Sequence, residues 1–515
     1  MALVGGDPYD GGRAVAPRAR GEPRSRLLPA FALLATAAIA AFVARATPSP
    51  EWLGFCGLAL LPLGAWVVAG PARAATVAAS LGYVAILVWA YTSRMSPVYA
   101  YAGLIDSSPP ASEMLAVTAL ATLPAMWIPI EARRSSTVVL WVLYLMGYLP
   151  ALVIPPFLQV DLADALPLDL ALLASMAIVS VMARLPVSAI RRRTLSPSAF
   201  TRLLVALALL ASVYIVASFG IHSLPSLQDV YGTRSEFKLA LGGVVGGGYV
   251  IHWANGVINP MLLAWGLARR RPALVLLAVV GQLLIYSVTG YKATLFSIVF
   301  VPLVYAAIAL ARRSFGLLLS VAVPLVLLLS TSGGTAITGL ASRLYATPAQ
   351  LTWYYYDYYS IHPKYELSHS FLSWLTSSPY LDDPAVNIGS AYFPGTGTNA
   401  NAGIWADAFA NFGFAGIVTF TLVLGVVLWV ADALAAGRDA RVVGPVLAVA
   451  TLAVNSGALF TAILTEGVAL SFILILVMPP ASAYATEASA VGRARRPWGG
   501  GVRPHAGEPV TRAAR

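Results

Sequence analysis

Arg234, in the stretch VYGTRSEF, and Lys292, in TGYKATLF, are the side chains whose chemistry is easiest to name. Each is a cation at the edge of a long apolar run. A charge placed there costs up to a few kcal/mol unless it snorkels to headgroups or meets an anion. Either residue alone reads equally well as an interfacial anchor. As a pair they could grip a phosphate or diphosphate, with the guanidinium forking onto two oxygens. Arg343 is a third candidate for the same grip, and three such cations together favour the anion-binding reading.

A second set of ionisable groups lies between residues 332 and 413: Asp357, His362, Lys364, Glu366, His369, Asp382, Asp383 and Asp407. Glycosyl or acyl transfer needs a carboxylate or His to take a hydroxyl proton, and any of these could serve. A folded polar segment carries such charges in any case, so each is first a solvated surface group. Asp407 stands above the rest. In NANAGIWADAFANFGFAG it falls near the start of an apolar helix, in a stretch whose amides, Asn399 and Asn401 among them, suit sugar hydroxyls. Glu466, in LFTAILTEGVALSF, is a carboxylate in a tight apolar turn; it could pair with Arg234 or Lys292, or act as a base or ligand. His252, Asn255 and Asn259 share one Gly-rich apolar run, where bonding to neighbouring helices is commoner than lining a cavity.

Several chemistries are not expected. His362 and His369 have no carboxylate or third His at helical spacing, so zinc is not expected. No P-loop, GxSxG, HExxH or dinucleotide fingerprint occurs in a suitable context, which leaves no metal or cofactor to invoke. The single cysteine, Cys56, excludes an intrachain disulfide and any Cys-rich metal or iron–sulfur site.

The elements that must position these residues follow from composition. The chain is 58% hydrophobic and 11% charged, against roughly 25% charged in a soluble protein. Stretches long enough to cross a bilayer number about 14, near 27–44, 52–70, 74–93, 112–130, 137–157, 168–183, 203–219, 244–267, 273–290, 294–311, 315–331, 414–431, 442–460 and 467–485. They are continuous rather than alternating, which predicts helices and not a barrel. The expected fold is therefore an all-α polytopic transmembrane bundle. Basic tails at 1–26 and 486–515 flank membrane helices over 27–331 and 414–485. One large loop, 332–413, interrupts them.

The net charge of +11 does not mark a nucleic-acid protein, because the basic residues fall in the tails and short loops. With the Arg-rich N-terminus inside, the inner loops carry Arg73, Arg133 and Arg134, Arg184 with Arg191 to Arg193 and Arg202, Arg269 to Arg271, Arg312 and Arg313, and Arg438 and Arg441. The C-terminal tail also ends inside. The expected location is the cytoplasmic membrane, with both termini cytoplasmic and loop 332–413 outside. A connection of that length is normally functional, and its aromatic content predicts a folded cap with short helices.

The many-helix frame, VYGTRSEF before a Gly-rich helix, GQLLIYSVTGYKATLF, and the large loop leaving through NANAGIWADAFANFGFAGIVTFTLVLG together resemble the oligosaccharide repeat-unit polymerases of bacterial surface polysaccharide synthesis (Wzy-type, O-antigen-polymerase-like). The resemblance covers roughly residues 200–435. It implies a metal-independent membrane glycosyltransferase that moves a growing glycan from its polyprenyl diphosphate carrier onto a new lipid-linked unit at the outer face. A flippase and a chain-length regulator would be its partners. Family members use external-loop arginines for the lipid-linked substrate, and Arg234 and Arg343 are the positions here that could match. In that setting Arg234, Lys292 and Arg343 would bind the diphosphate, and Asp407, Glu466 or His362 would deprotonate the acceptor. Tyr and Trp side chains from Trp353 to Tyr359 offer flat faces for sugars, or equally an interfacial aromatic belt. A lipid-linked glycan ligase and a lipid-linked oligosaccharide transporter are the competing readings; the clustering of ionisable groups at one membrane boundary, without two related halves, favours a transferase over a transporter.

Overall fold

The computed structural model describes residues 58, 60–190, 192–226, 230–374 and 376–483. The two basic tails and the first expected span, 27–44, lie outside them, as does Cys56. Among the described residues the chain is helical and contains no strand. Eight helices among the described residues are long and apolar enough to cross a membrane: Pro71–Ala102, Ser135–Leu158, Leu162–Met182, Pro197–Phe219, Pro272–Thr289, Lys292–Ser332, Ile404–Ala435 and Leu459–Val477. The protein is thus membrane-embedded and all-α. Apolar side chains on the outer surface fit lipid contact. On Pro197–Phe219, Phe200, Leu204, Ala208, Ala211 and Ile215 are buried at helical spacing while Leu209, Leu210 and Val213 point outward.

Two boundaries differ from the hydropathy reading, each for a visible reason. The stretch expected at 168–183 begins at Leu162, because Asp164, Pro167 and Asp169 lie inside the helix and depress its apparent hydropathy. The helix expected from 414 begins at Ile404. Phe412 (φ −143°) and Gly413 (φ 60°) break it into two half-helices, and only the second is apolar enough to stand out. The 41-residue Lys292–Ser332 run is likewise broken, at the 3₁₀ turn Arg312–Ser314, where Ala311 and Ser314 leave helical geometry with φ of −134° and −120°.

Helix Ser135–Leu158 lies at the centre, its whole apolar window buried. It packs against Ala440–Ser456, which also contacts Lys292–Ala311 and Asn259–Ala268. Small residues allow these approaches: a Cβ on Gly316 would meet the Trp141 indole at 2.3 Å, and one on Gly425 would meet Met182 Sδ at 2.1 Å. The N-terminus of the central helix has no cap of its own. Buried Asp432, from another helix, accepts hydrogen bonds from Ser135 Oγ (2.8 Å), Ser136 Oγ (2.6 Å) and Ser136 N (2.8 Å), which satisfies donors that a helix start leaves orphaned.

A recurrent device shapes the interior. Among the described residues four π-turns, Tyr91–Met95, Tyr144–Tyr148, Ala254–Ile258 and Ser342–Ala346, are each followed by a helix with Pro at its second position: Pro97, Pro150, Pro260 and Pro348. Proline has no N–H for the carbonyl four residues back and its ring crowds that carbonyl. Widening the preceding turn relieves the clash. The carbonyl left over can then serve elsewhere. Met146 O, four residues before Pro150, accepts from Asn455 Nδ2 at 2.9 Å.

Candidate functional site

Two of these π-turns face the residues singled out above. Arg343 lies in Ser342–Ala346. The other turn, Ala254–Ile258, receives the connection that carries Glu466. A Cβ on Gly256 would come within 2.9 Å of Glu466 O, and Gly467 takes a left-handed φ of 95° against Val257. Trp253 Nε1 donates to Leu464 O at 3.1 Å and closes the junction. Only glycine fits at 256 and 467, so the carboxylate is held against the bulged helix.

Arg234 is carried by helix Val230–Leu241, which packs over the C-terminus of Pro272–Thr289. Gly290 ends that helix at φ 61°, with Val230 O only 2.9 Å from where a Cβ would stand. Arg234 Nε donates to Gly290 O at 3.2 Å, and its guanidinium lies 5.8 Å from the Tyr291 ring centre. Lys292 opens the next helix, where the partial positive charge of a helix start already disfavours a cation. The charges of both Arg234 and Arg343 act on it. Its Nζ lies 3.9 Å from the Cβ position of Gly339, one turn before Arg343. Three cations from separate segments are therefore near enough for their charges to act on one another.

The acidic side adjoins them. His252 Nδ1 lies 2.7 Å from Gly248 O; a carbonyl only accepts, so Nδ1 carries a proton. His252 Nε2 then faces Glu466 Oε1 at 3.5 Å. The His252 and Tyr291 rings are 6.3 Å apart. Burial pushes the Tyr291 phenol up, with the Arg234 charge opposing and the Glu466 charge reinforcing that shift.

Glu466 also lines a cavity of about 220 Å³ together with Asp407, Asn401, Asn411, His369 and Asp383. Asp407 sits on the half-helix ahead of the Phe412–Gly413 break. Its Oδ1 accepts from Asn411 Nδ2 at 3.0 Å and its Oδ2 from Leu459 N at 3.3 Å. Asn411 Oδ1 in turn accepts from Leu367 N at 2.7 Å. At the rim His369 Nδ1 and Asp383 Oδ1 pair at 2.9 Å.

Of the residues expected from sequence, Arg234, Lys292 and Arg343 come together, and Asn401, Asp407 and Glu466 share the cavity. Asn399 and His362 are not in its lining. His362 is stacked face to face on Tyr358 at 3.9 Å, and its Nδ1 bonds Tyr358 O. His369 lines the cavity instead; its sequence signal was only membership of a polar segment. The aromatic run is largely structural. Trp353, Tyr355 and Tyr359 are buried, and Tyr354 stacks on Tyr392 at 4.1 Å, so these faces already hold protein rings. Among the described residues no group of three or more His, Cys, Asp or Glu could hold a metal ion. Comparison with known proteins gives no match to a family model, a curated protein or a solved structure.

Proposed function

We propose that this protein is a glycosyltransferase that polymerises polyprenyl-diphosphate-linked oligosaccharide repeat units at the outer face of the cytoplasmic membrane. The observation that carries the reading is the gathering of Arg234, Lys292 and Arg343 within reach of one another's charge, with Arg234 and Glu466 both acting on Tyr291 and Glu466 lining a cavity with Asp407. The three cations bind the diphosphate of the donor. The acceptor hydroxyl attacks the anomeric carbon, the carbon–oxygen bond to the diphosphate breaks, and polyprenyl diphosphate leaves with the bonding electrons. Fixed cations lower the barrier because negative charge grows on that leaving group. Glu466, next to both the cations and the cavity, receives the hydroxyl proton in its pairing with His252. Asp407, with both oxygens already accepting hydrogen bonds, positions the cavity wall and the acceptor.

In this reading the chain crosses the membrane about 14 times. The break at Arg312–Ser314 fits this, since a helix of 41 residues rises about 60 Å, twice the hydrocarbon thickness. The arginine-bearing connections face the cytoplasm and segment 332–413 faces outward. Surface glycan length in cells lacking the protein tests the proposal. Loss of chains beyond a single repeat unit, restored by the wild-type chain, is the expected result. Full-length chains left on the lipid carrier would identify a ligase instead, and units trapped inside the cell a transporter.

A further inference from the structure

At the opposite end of the bundle lies a second, larger cavity of about 620 Å³. Lys292 opens helix Lys292–Ala311 and Arg312 follows its last residue, so this cavity is a full membrane helix away from the site above. Arg133, Arg134, Arg312, Arg438 and Arg441 line it, with Asp439 as the acidic member. Arg441 is held by Asp439 through two bonds, Nε to Oδ1 at 3.0 Å and Nη2 to Oδ2 at 2.8 Å. Arg133 pairs with Glu131 at 2.8 Å. Arg312 Nε donates to Ala132 O at 3.1 Å, and Arg134 Nη1 to Ala183 O and Leu185 O. Five arginines against one aspartate make the lining strongly basic.

We propose that this cavity binds the headgroup of an anionic phospholipid. Basic loops alone need no ligand, since cytoplasmic connections are rich in Arg. Two features go beyond that pattern. The arginines converge from three separate connections, at 131–134, 312 and 438–441, onto one concave space. Its wall continues into Val138, Ile308 and Val443, so a cationic mouth opens onto a hydrocarbon side, the complement of a phosphate above an acyl chain. Basic pockets between membrane helices on the cytoplasmic side are where such headgroups are held. The equally basic Arg269–Arg271 connection does not line the cavity, which supplies a matched control. The inference is independent of what the other end does.

The test is native mass spectrometry of the detergent-purified full-length chain titrated with phosphatidylglycerol or phosphatidylcholine. Three chains are compared: wild type, Arg133→Gln/Arg312→Gln, and Arg270→Gln/Arg271→Gln. Wild type should retain phosphatidylglycerol preferentially. The cavity variant should lose that retention by about tenfold or more, and the control should keep it. Arg133→Gln alone, at a largely exposed side chain, should give a smaller loss if the double variant does not fold. Equal binding of the two lipids, equal loss in both double variants, or displacement of the lipid by millimolar inorganic phosphate would each overturn the proposal.

Discussion

At one end of the bundle arginines bind helix ends; at the other, cations gather round one another. Arg73 Nη1 donates to Ala125 O at 2.7 Å and Ile128 O at 2.6 Å. Arg134 reaches Ala183 O and Leu185 O, Arg184 reaches Trp127 O, and Arg192 reaches Leu434 O. These carbonyls close helices whose last turns have no intrahelical donors, so the guanidinium both satisfies a polar group and faces the negative end of a dipole. Arg234 shares that logic in part, since its Nε reaches Gly290 O at the end of Pro272–Thr289, whereas Lys292 runs against it. Lys292 occupies a helix start, and its neighbours repel it. The same residue types therefore cap helix ends at one end of the bundle and, under the proposed function, serve binding at the other.

The contrast can be broken most sharply by removing charge from the cluster. Arg234→Ala and Lys292→Ala should each reduce glycan chain growth about a hundredfold or more, the scale of losing one fixed donor to a developing anion. Their thermal unfolding in detergent should stay close to wild type. Unaltered chain lengths in both variants would remove the diphosphate grip. Next in size is Asp432→Ala, which strips the central helix start of its acceptor. It should cost about 3 kcal/mol of stability, read as a fall in melting temperature and membrane yield, with activity per folded molecule preserved. Arg73→Gln should act the same way but more weakly, by about 1–2 kcal/mol. A selective loss of turnover in either variant would blur the division between the two ends.

Much of this frame was legible in the sequence because lipid leaves helices as the available form for continuous apolar runs. The prolines that follow the π-turns were visible too, but not the turns, since the same dipeptides occur at ordinary helix starts. Legibility failed where polar residues enter a helix. Asp164 and Asp169 shortened the apparent Leu162–Met182 helix, and Asp407 and Asn411 hid the half-helix from Ile404. Arg234, Lys292, Arg343, Asp407 and Glu466 stand out in the sequence because their charge is anomalous beside apolar residues. The partners that define their geometry were not. Nothing in the local sequence joins His252 to Glu466, or places Asp432 on Ser135 and Ser136, because both contacts are tertiary.

Sidedness tests the central claim most directly. In a Cys56→Ser background, single cysteines at Ser377 and Ser188, both exposed and at opposite ends of the molecule, can be probed in intact cells with a membrane-impermeant maleimide. The account predicts that Ser377→Cys is labelled from outside and Ser188→Cys only after lysis. Labelling of Ser188→Cys in intact cells, with Ser377→Cys protected, would put the cation cluster in the cytosol and contradict it.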